Sequence, residues 1–239
     1  MILKNGKDRT YHFFRWVFDS RRRTDALYHA VYLPVRLLFG LIVRGAENLP
    51  STGPAIFAFN HGSHYDGFFM MFALYRFRPY PRALPVYWHG MLSMPVISSF
   101  LRAHGGFSIS HDASQAQTRT GEVIAMRNAL ESGIPILMAP EGKRNSRLGR
   151  FQQGAAMLSL NTGCPIVPCS LRGVNKLYDQ LPFPNRICGR VEVCFHPPII
   201  PSGPVTEQPD MLTVKSLTQS LWKVIASGID YPVATELMD

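Results

Sequence analysis

The chain has 239 residues, enough for one domain with a substantial hydrophobic core. Hydrophobic residues make up 46% of the chain and its mean hydropathy is near zero, yet its formal charge is +9. This combination fits a protein that touches a bilayer without being dissolved in it. The four cysteines form no CxxC pair and follow no secretory signal. The pattern favours free, buried thiols in a reducing cytosol over a disulfide framework.

Residues 1–44 concentrate the positive charge. They hold nine Lys or Arg and three Asp, a net charge of +6 out of the total of +9. A solvated basic arm and a nucleic-acid contact are alternatives. We favour an anionic membrane surface and expect no nucleic-acid partner, because aromatic rings are interleaved with the cations, as suits a membrane interface. These rings are Phe13, Phe14, Trp16, Phe18 and Tyr28.

The best candidate for a membrane span lies at residues 27–43. It is seventeen residues long and is interrupted by His29, Pro34 and Arg36. A spanning helix needs roughly 20 predominantly apolar residues. We therefore expect an interfacial or partly embedded helix, and a peripheral or monotopic protein at the cytoplasmic face of a membrane.

Hydrophobic periodicity and turn residues predict helices alternating with short strands. The predicted helices cover residues 9–20, 24–40, 66–75, 118–130, 151–161 and 212–225, and the predicted strands cover residues 55–59, 105–110, 134–138, 166–171 and 190–195. This alternation is typical of the α/β class. We expect a single domain (residues 45–205) with a central mixed, largely parallel sheet flanked by helices. A membrane-associated helical segment (residues 1–44) precedes it, and a C-terminal helix and tail (residues 206–239) follow.

Three polar segments follow predicted strands, after Phe59, Ile109 and Met138. Sites in α/β sheets gather where strands end. The first segment contains His61 and Asp66, which would lie about 140° apart on a straight helix and could not face each other. A loop that turns into a helix can bring them together, and the glycines and serine in this segment permit such a turn. An isolated pair of this kind is more simply an N-cap aspartate and a loop histidine.

The order of further motifs changes that interpretation, because the chain resembles the glycerolipid acyltransferase family. The family's first motif, Asn-His-x4-Asp, is matched by Asn60, His61 and Asp66. Its Pro-Glu-Gly-Thr-Arg-Ser block is matched by residues 140–146, and its apolar stretch ending in Val-Pro by residues 165–168. The resemblance runs from about residue 45 to about residue 201.

The resemblance has departures. The family's second motif usually ends in an arginine that binds substrate phosphate, whereas residues 105–111 end in His111. Lys143 replaces the threonine of the third motif, which keeps cationic charge near the site. Gln152 and Gln153 stand where basic residues are common. These departures leave the acceptor open.

The resemblance implies an acyl thioester donor, on coenzyme A or acyl carrier protein, and a hydroxyl acceptor. No cofactor is expected. His61 would act as general base and Asp66 would orient its imidazole. The acceptor would be a phosphate-bearing lipid such as 1-acylglycerol-3-phosphate, as in phospholipid biosynthesis.

The implied substrate-binding residues are Glu141, Gly142, Lys143, Arg144 and His111. Arg144, assisted by Lys143, would bind the acceptor's phosphate, although both could belong to a solvated loop. Glu141 could orient this loop, bind an acceptor hydroxyl or be purely structural. The apolar runs at residues 68–72 and 91–101 could line an acyl-chain groove or belong to the core.

Other functions remain open. His61 and His64 form an HxxH pair, but no nearby Cys or Glu completes a ligand set, so no metal site is expected. The absence of GxSxG disfavours a serine hydrolase, although water could replace the alcohol in a thioesterase. An acyltransferase for another alcohol or amine and a non-enzymatic membrane-binding module on the same fold are further alternatives.

Overall fold

The computed structural model describes residues 9–63, 65–78, 82–109, 116–174 and 190–234. The helices in this part of the chain are α1 (Arg9–Phe18), α2 (Arg21–Phe39), α3 (Asp66–Phe77), α4 (Pro95–His104), α5 (Ala116–Glu131), α6 (Gly154–Thr162) and α7 (Met211–Ser227). The strands are β1 (Ile42–Arg44), β2 (Ile56–Phe59), β3 (Leu84–Trp88), β4 (Phe107–Ile109), β5 (Ile136–Met138), β6 (Ile166–Arg172) and β7 (Glu192–Phe195). Short 3₁₀ helices lie at Ala46–Asn48 and His89–Ser93.

The described strands form one seven-stranded sheet in the order β1-β7-β6-β2-β5-β3-β4. Neighbouring strands run parallel except β6 and β7, which are antiparallel. In the register of the sheet, Ile56 of β2 pairs with Ile136 of β5 on one side and with Ile166 of β6 on the other. The central strands β2, β5 and β6 therefore start level with one another.

Helices cover both faces of this sheet. Because side chains alternate along a strand, Phe57 packs with α2 and α3 residues such as Tyr28 and Phe69 on one face. Ile56 packs with Met126 of α5 and Leu221 of α7 on the other. β2 is buried along its whole length, as is typical of a parallel strand covered on both faces.

The predicted fold class, a single α/β domain with a mixed, largely parallel sheet flanked by helices, is confirmed. Three elements were not predicted. β1 is short and directly follows α2, and β3 contains Pro85, a residue that argues against a strand. α4 falls in residues 91–101, interpreted only as an apolar run, although Pro95 at its first turn is a helix-start signal.

The N-terminal helices pack against the rest of the fold. α1 lies on α4, and the β1 strand that follows α2 pairs with β7, so residues 42–44 belong to the sheet. The division at residues 44 and 205 stays a prediction. Within the described residues, none of the helices combines the length and the apolar character needed to cross a membrane.

The contact between α1 and α4 contains a buried histidine. The His104 ring lies 4.9 Å from the Phe18 ring and 5.6 Å from the Phe100 ring, centroid to centroid, and is 4% exposed. Burial, together with the charge of Arg82, lowers the pKa of His104 to about 3. The folded protein therefore holds this imidazole neutral, whereas the unfolded chain protonates it near pH 6.5.

This difference predicts acid sensitivity. Below about pH 6.5 His104 is protonated in the unfolded chain but stays neutral in the folded protein. The free energy of unfolding therefore falls by about 1.4 kcal/mol for each unit by which the pH is lowered. Between pH 7 and pH 5 the loss from this group is on the order of 2 kcal/mol. His104→Phe keeps an aromatic ring but cannot bind a proton. Its free energy of unfolding, measured in urea at pH 7 and at pH 5, should therefore fall by about 2 kcal/mol less than that of the wild-type protein. Equal pH dependence in the two proteins would contradict the assignment.

Candidate active site

The site begins where β2 ends. The chain leaves β2 at Phe59, turns, and enters α3 at Asp66. His61 Nδ1 lies 2.9 Å from Asp66 Oδ2 across this turn. Asp66 is fully buried, whereas the His61 side chain is 30% exposed. An Nδ1–H donated to the carboxylate leaves Nε2 as the basic nitrogen of a ring that solvent and substrate can reach.

Ser63 completes the hydrogen bonds of Asp66. Its backbone N–H donates to Oδ2 at 2.8 Å and its hydroxyl donates to Oδ1 at 2.6 Å. The hydroxyl in turn accepts a hydrogen bond from the Tyr65 backbone N–H at 3.1 Å. From the sequence, Ser63 is expected only to permit the turn. A serine three residues before a carboxylate at a helix start was the signal for this role.

The loop after β5 holds the backbone of His61. Glu141 Oε1 accepts the His61 N–H at 2.7 Å, and the Asn145 N–H donates to the His61 carbonyl at 3.0 Å. Glu141 Oε2 accepts the Asn145 side-chain amide at 3.0 Å and the Gly149 N–H at 2.9 Å. The backbone N–H and carbonyl of His61 are therefore both hydrogen-bonded to one loop. These bonds hold the His61 backbone, from which the imidazole extends, in one position.

Strand register explains why these two segments meet. Ala58 of β2 pairs with Met138 of β5. His61 and Glu141 each follow that pair by three residues. Because parallel strands end at the same edge of a sheet, the equal offset places the histidine beside the carboxylate.

Glu141 is only 3% exposed, and both its oxygens are engaged within the protein. Burial raises the pKa of Glu141 above its ordinary value, and the N–H donors of His61, Asn145 and Gly149 limit this increase. All three contacts are donors, so the geometry suits the ionised carboxylate. Of the roles open for Glu141, this arrangement favours orientation of the loop. Contact with substrate stays a prediction.

The cations of the third motif follow directly. Gly142 adopts φ 70°, a left-handed conformation that a glycine accepts without strain. Lys143 is exposed and Arg144 is half-buried, with its Nε and Nη1 atoms shielded from solvent. The loop therefore turns Glu141 inward while Lys143 remains in solvent.

Other predicted residues fall elsewhere. His111 and His64 lie outside the described residues. Within the described part of the chain, no cluster of three or more His, Cys, Asp or Glu is arranged to hold a metal.

In the run at residues 68–72, Phe69 and Met70 are fully buried core residues. Among the cysteines, Cys164 and Cys169 are buried free thiols and Cys194 is half-buried.

Asn60 of the first motif ties the site to β6. Its side-chain oxygen accepts the Leu171 N–H at 2.7 Å, and its amide nitrogen donates to the Leu171 carbonyl at 3.0 Å. The same nitrogen lies 2.8 Å from the Tyr231 hydroxyl. Asn60 is fully buried, so these bonds replace water completely. The asparagine thus extends the β2–β6 pairing one step beyond the strand and fixes the start of the turn.

Comparisons with known proteins agree with this architecture. A sequence model of the acyltransferase family matches residues 40–172. A chloroplastic 1-acyl-sn-glycerol-3-phosphate acyltransferase of Brassica napus is 26% identical over 199 residues, 80% of this chain and 55% of that protein. An uncharacterized protein of Mycobacterium leprae is 31% identical over 150 residues, 60% of this chain and 39% of that protein. The crystal structure of PlsC, the 1-acyl-sn-glycerophosphate acyltransferase of Thermotoga maritima, superposes with a TM-score of 0.67 at 19% identity, covering 91% of this chain and 85% of that one.

The family match extends over more than half of the chain, and the chain therefore belongs to the acyltransferase family. The resemblance drawn from the motifs is confirmed at this level. The likeness to PlsC shows a shared fold. The chain spans about half the length of the curated plant relatives that it matches.

The contacts of Asn60 predict a stability effect. Asn60→Ala leaves the N–H and carbonyl of Leu171 buried without partners, each costing about 1–3 kcal/mol. We expect the free energy of unfolding, measured in urea, to fall by at least about 2 kcal/mol. Tyr231→Phe removes only one of the Asn60 contacts and should cost less. Unchanged stability with lost activity in Asn60→Ala would instead give this residue a chemical role.

Proposed function

We propose that this protein transfers a fatty acyl group from an acyl thioester to the free hydroxyl of 1-acylglycerol-3-phosphate, in phospholipid biosynthesis. Family membership and the 1-acyl-sn-glycerol-3-phosphate acyltransferase activity for which the plant relatives are named support the reaction class and the acceptor. The observation that carries the proposal is the 2.9 Å contact between a His61 ring that is 30% exposed and a fully buried Asp66 carboxylate. Coenzyme A and acyl carrier protein are the candidate carriers of the acyl group, and the chain's own residues supply the chemistry without a cofactor.

His61 performs both proton transfers in this proposal. Nε2 removes the proton from the acceptor hydroxyl while its oxygen attacks the thioester carbonyl carbon. The tetrahedral intermediate collapses, the carbon–sulfur bond breaks, and the imidazolium returns the proton to the departing thiolate. The products are the new ester and the free thiol. No acyl-enzyme forms, since the acceptor hydroxyl is the nucleophile.

Asp66 supports both steps through its buried position. Its hydrogen bond to Nδ1 keeps the proton on that nitrogen, so Nε2 is the base. When His61 becomes an imidazolium, the adjacent carboxylate stabilises the new charge, and little water is present to screen it. Ser63 holds the carboxylate in place by donating to both of its oxygens.

The acceptor's phosphate would bind the cations of the third motif. A guanidinium provides paired donors that match phosphate oxygens, and Arg144 lies on the loop that clamps His61. Lys143 adds a second charge from the exposed side of that loop. His111, at the position of the family's usual arginine, is the third candidate for contact with the phosphate.

The N-terminal helices would hold the enzyme at the cytoplasmic face of an anionic membrane, as a peripheral or monotopic protein. Phe13 and Trp16 of α1 are 52% and 56% exposed, and Leu37 of α2 is 74% exposed. The Arg23 guanidinium lies 4.3 Å from the centre of the Trp16 ring and donates to the Trp16 carbonyl. An aromatic ring paired with a cation suits the headgroup region of a bilayer.

The catalytic pair is tested by transfer of a radiolabelled acyl group from acyl-CoA to 1-acylglycerol-3-phosphate. His61→Ala should lower turnover by about 10²–10⁴, the usual contribution of a general base, and Asp66→Asn should also cost orders of magnitude through loss of tautomer control. Ser63→Ala should cost less, because Asp66 keeps the donors from the Ser63 backbone and from His61.

Circular dichroism and thermal unfolding of each variant separate loss of chemistry from loss of fold. Near-normal turnover in folded His61→Ala protein contradicts the mechanism. Release of free fatty acid without dependence on an acceptor would identify a thioesterase instead. If the wild-type protein transfers no acyl group from any donor but still binds vesicles, it is a membrane-binding module and not an enzyme.

The phosphate contact is tested separately, by binding of acceptor to the His61→Ala protein. Arg144→Ala should weaken binding by about 1.5–3 kcal/mol, the range of charged hydrogen bonds. Arg147→Ala is the matched control, because Arg147 is an exposed arginine of the same loop and should change binding little. Equal effects of the two substitutions, or equal use of monoacylglycerol as acceptor, would point to another alcohol or amine.

A further inference from the structure

A long uncharged segment lies between Arg82 and Arg102. Residues 83–101 contain no Lys, Arg, Asp or Glu. Much of this segment is exposed in the structure, where residues 88–97 form a surface that we call the apolar lip. Trp88 is 57% exposed, Met94 38%, Val96 62% and Ile97 37%. Clustered exposed apolar residues mark an interaction surface.

The lip leaves the sheet at the same edge as the proposed catalytic residues. β3 ends at Trp88 and runs parallel to β5, which in turn runs parallel to β2. The carboxyl ends of these three strands therefore share one edge. With about 4.8 Å between neighbouring strands, the lip departs roughly 10 Å from the strand that leads to His61. Any surface that the lip enters is brought close to the site.

The helix that carries the end of the lip, α4, packs against α1. The Phe14 and Phe100 rings lie 5.2 Å apart and the Phe18 and His104 rings 4.9 Å apart, centroid to centroid. These contacts advance along both helices in the same direction, so α1 and α4 begin at the same end of the pair. The first turn of α4, which carries Val96 of the lip, therefore lies at the same end of this helix pair as the amino-terminal half of α1. That half of α1 carries the exposed Phe13.

Charge identifies the occupant. The lip itself carries no formal charge. Exposed arginines lie on two helices near it, Arg15 on α1 and Arg102 on α4, and one half-buried acid, Glu122 of α5, lies within electrostatic range of His89. An apolar centre with a margin of net positive charge is complementary to acyl chains under anionic headgroups. A second protein would need paired acids at the margin as well as an apolar partner.

We propose that the apolar lip, residues 88–97, inserts among the acyl chains of an anionic bilayer and thereby seats the site's edge of the sheet on the membrane. This inference rests on the proposed function, since it explains how a lipid acceptor reaches His61 without leaving the bilayer surface. It adds a second membrane contact, distant in sequence from residues 1–44.

Insertion is measured first by fluorescence quenching. The probe is Trp88 in full-length Trp16→Phe protein bound to phosphatidylglycerol–phosphatidylcholine vesicles with brominated acyl chains. Emission should fall by more than a third. Trp16→Phe/Trp88→Phe protein is the control and should lose this quenching, because the remaining Trp222 donates to Gly149 inside the fold. Equal quenching in both proteins, or none in either, overturns the proposal.

Binding is measured next with a matched pair of double substitutions. Val96→Ser/Ile97→Ser should weaken partition onto these vesicles at least tenfold, since each buried aliphatic side chain contributes substantially to transfer out of water. Met211→Ser/Leu212→Ser changes side chains that are 47% and 74% exposed at the start of α7, a helix that packs on α6 and β6, and should change partition less than threefold. Equal losses overturn the proposal. A dimer that dissociates only in the lip variant would overturn it in favour of a second copy.

Activity separates this inference from the proposed function. The lip variant should lose at least tenfold turnover on vesicle-borne 1-acylglycerol-3-phosphate but retain turnover on a short-chain, monomeric form of the same acceptor. Equal loss on both acceptors overturns the seating role. Wild-type protein inactive on both contradicts the proposed function, while the quenching result still decides whether the lip inserts.

Discussion

The parallel pairing of β2 with its two neighbours is the constraint on which the site depends. Ala58 pairs with Met138 on one side and with Pro168 on the other. Three residues beyond these partners stand Glu141, which binds the His61 N–H, and Leu171, which binds the side chain of Asn60. If β2 slipped by one residue in the sheet, every following side chain would point to the opposite face. The packing of β2 on both of its faces opposes such a slip and so also determines the position of the histidine. Core packing and the geometry of the site are thus the same constraint.

Two buried carboxylates at this edge of the sheet bind different parts of His61. Asp66 accepts hydrogen bonds from the His61 ring and from Ser63, and Glu141 accepts from the His61 backbone and from its own loop. A buried carboxylate is costly unless its oxygens are satisfied, so each recruits several donors and becomes rigid. One carboxylate thereby holds the ring and the other holds the backbone of the same residue. An imidazole held at both ends suits the proposed proton transfer, which depends on short, constant distances.

The apolar surfaces of the molecule have a consistent relation to this site. The helix with the exposed aromatics, α1, and the helix that carries the end of the apolar lip, α4, are joined by edge-to-face contacts among the rings of Phe14, Phe18, Phe100 and His104. The lip shares its sheet edge with the His61 turn. A lipid acceptor has a polar headgroup where chemistry occurs and an acyl chain that remains in the bilayer. A polar site beside an exposed apolar margin matches both parts of such a molecule.

The sequence alone determined the fold class, most helices and strands, and the pairing of His61 with Asp66, because these depend on local periodicity and on a motif contained in one turn. Residues 42–44 and 84–88 escaped prediction, since a short edge strand and a proline-containing strand carry little local signal. Residues 95–104 were interpreted only as part of an apolar run, although Pro95 marks a helix start. Only the tertiary structure decided that Glu141 clamps His61, that Asn60 binds Leu171, and that residues 94–97 are exposed. These contacts join residues 80 and 111 positions apart, or depend on which face another helix covers. Strand order and register set such relations, and no local pattern records them.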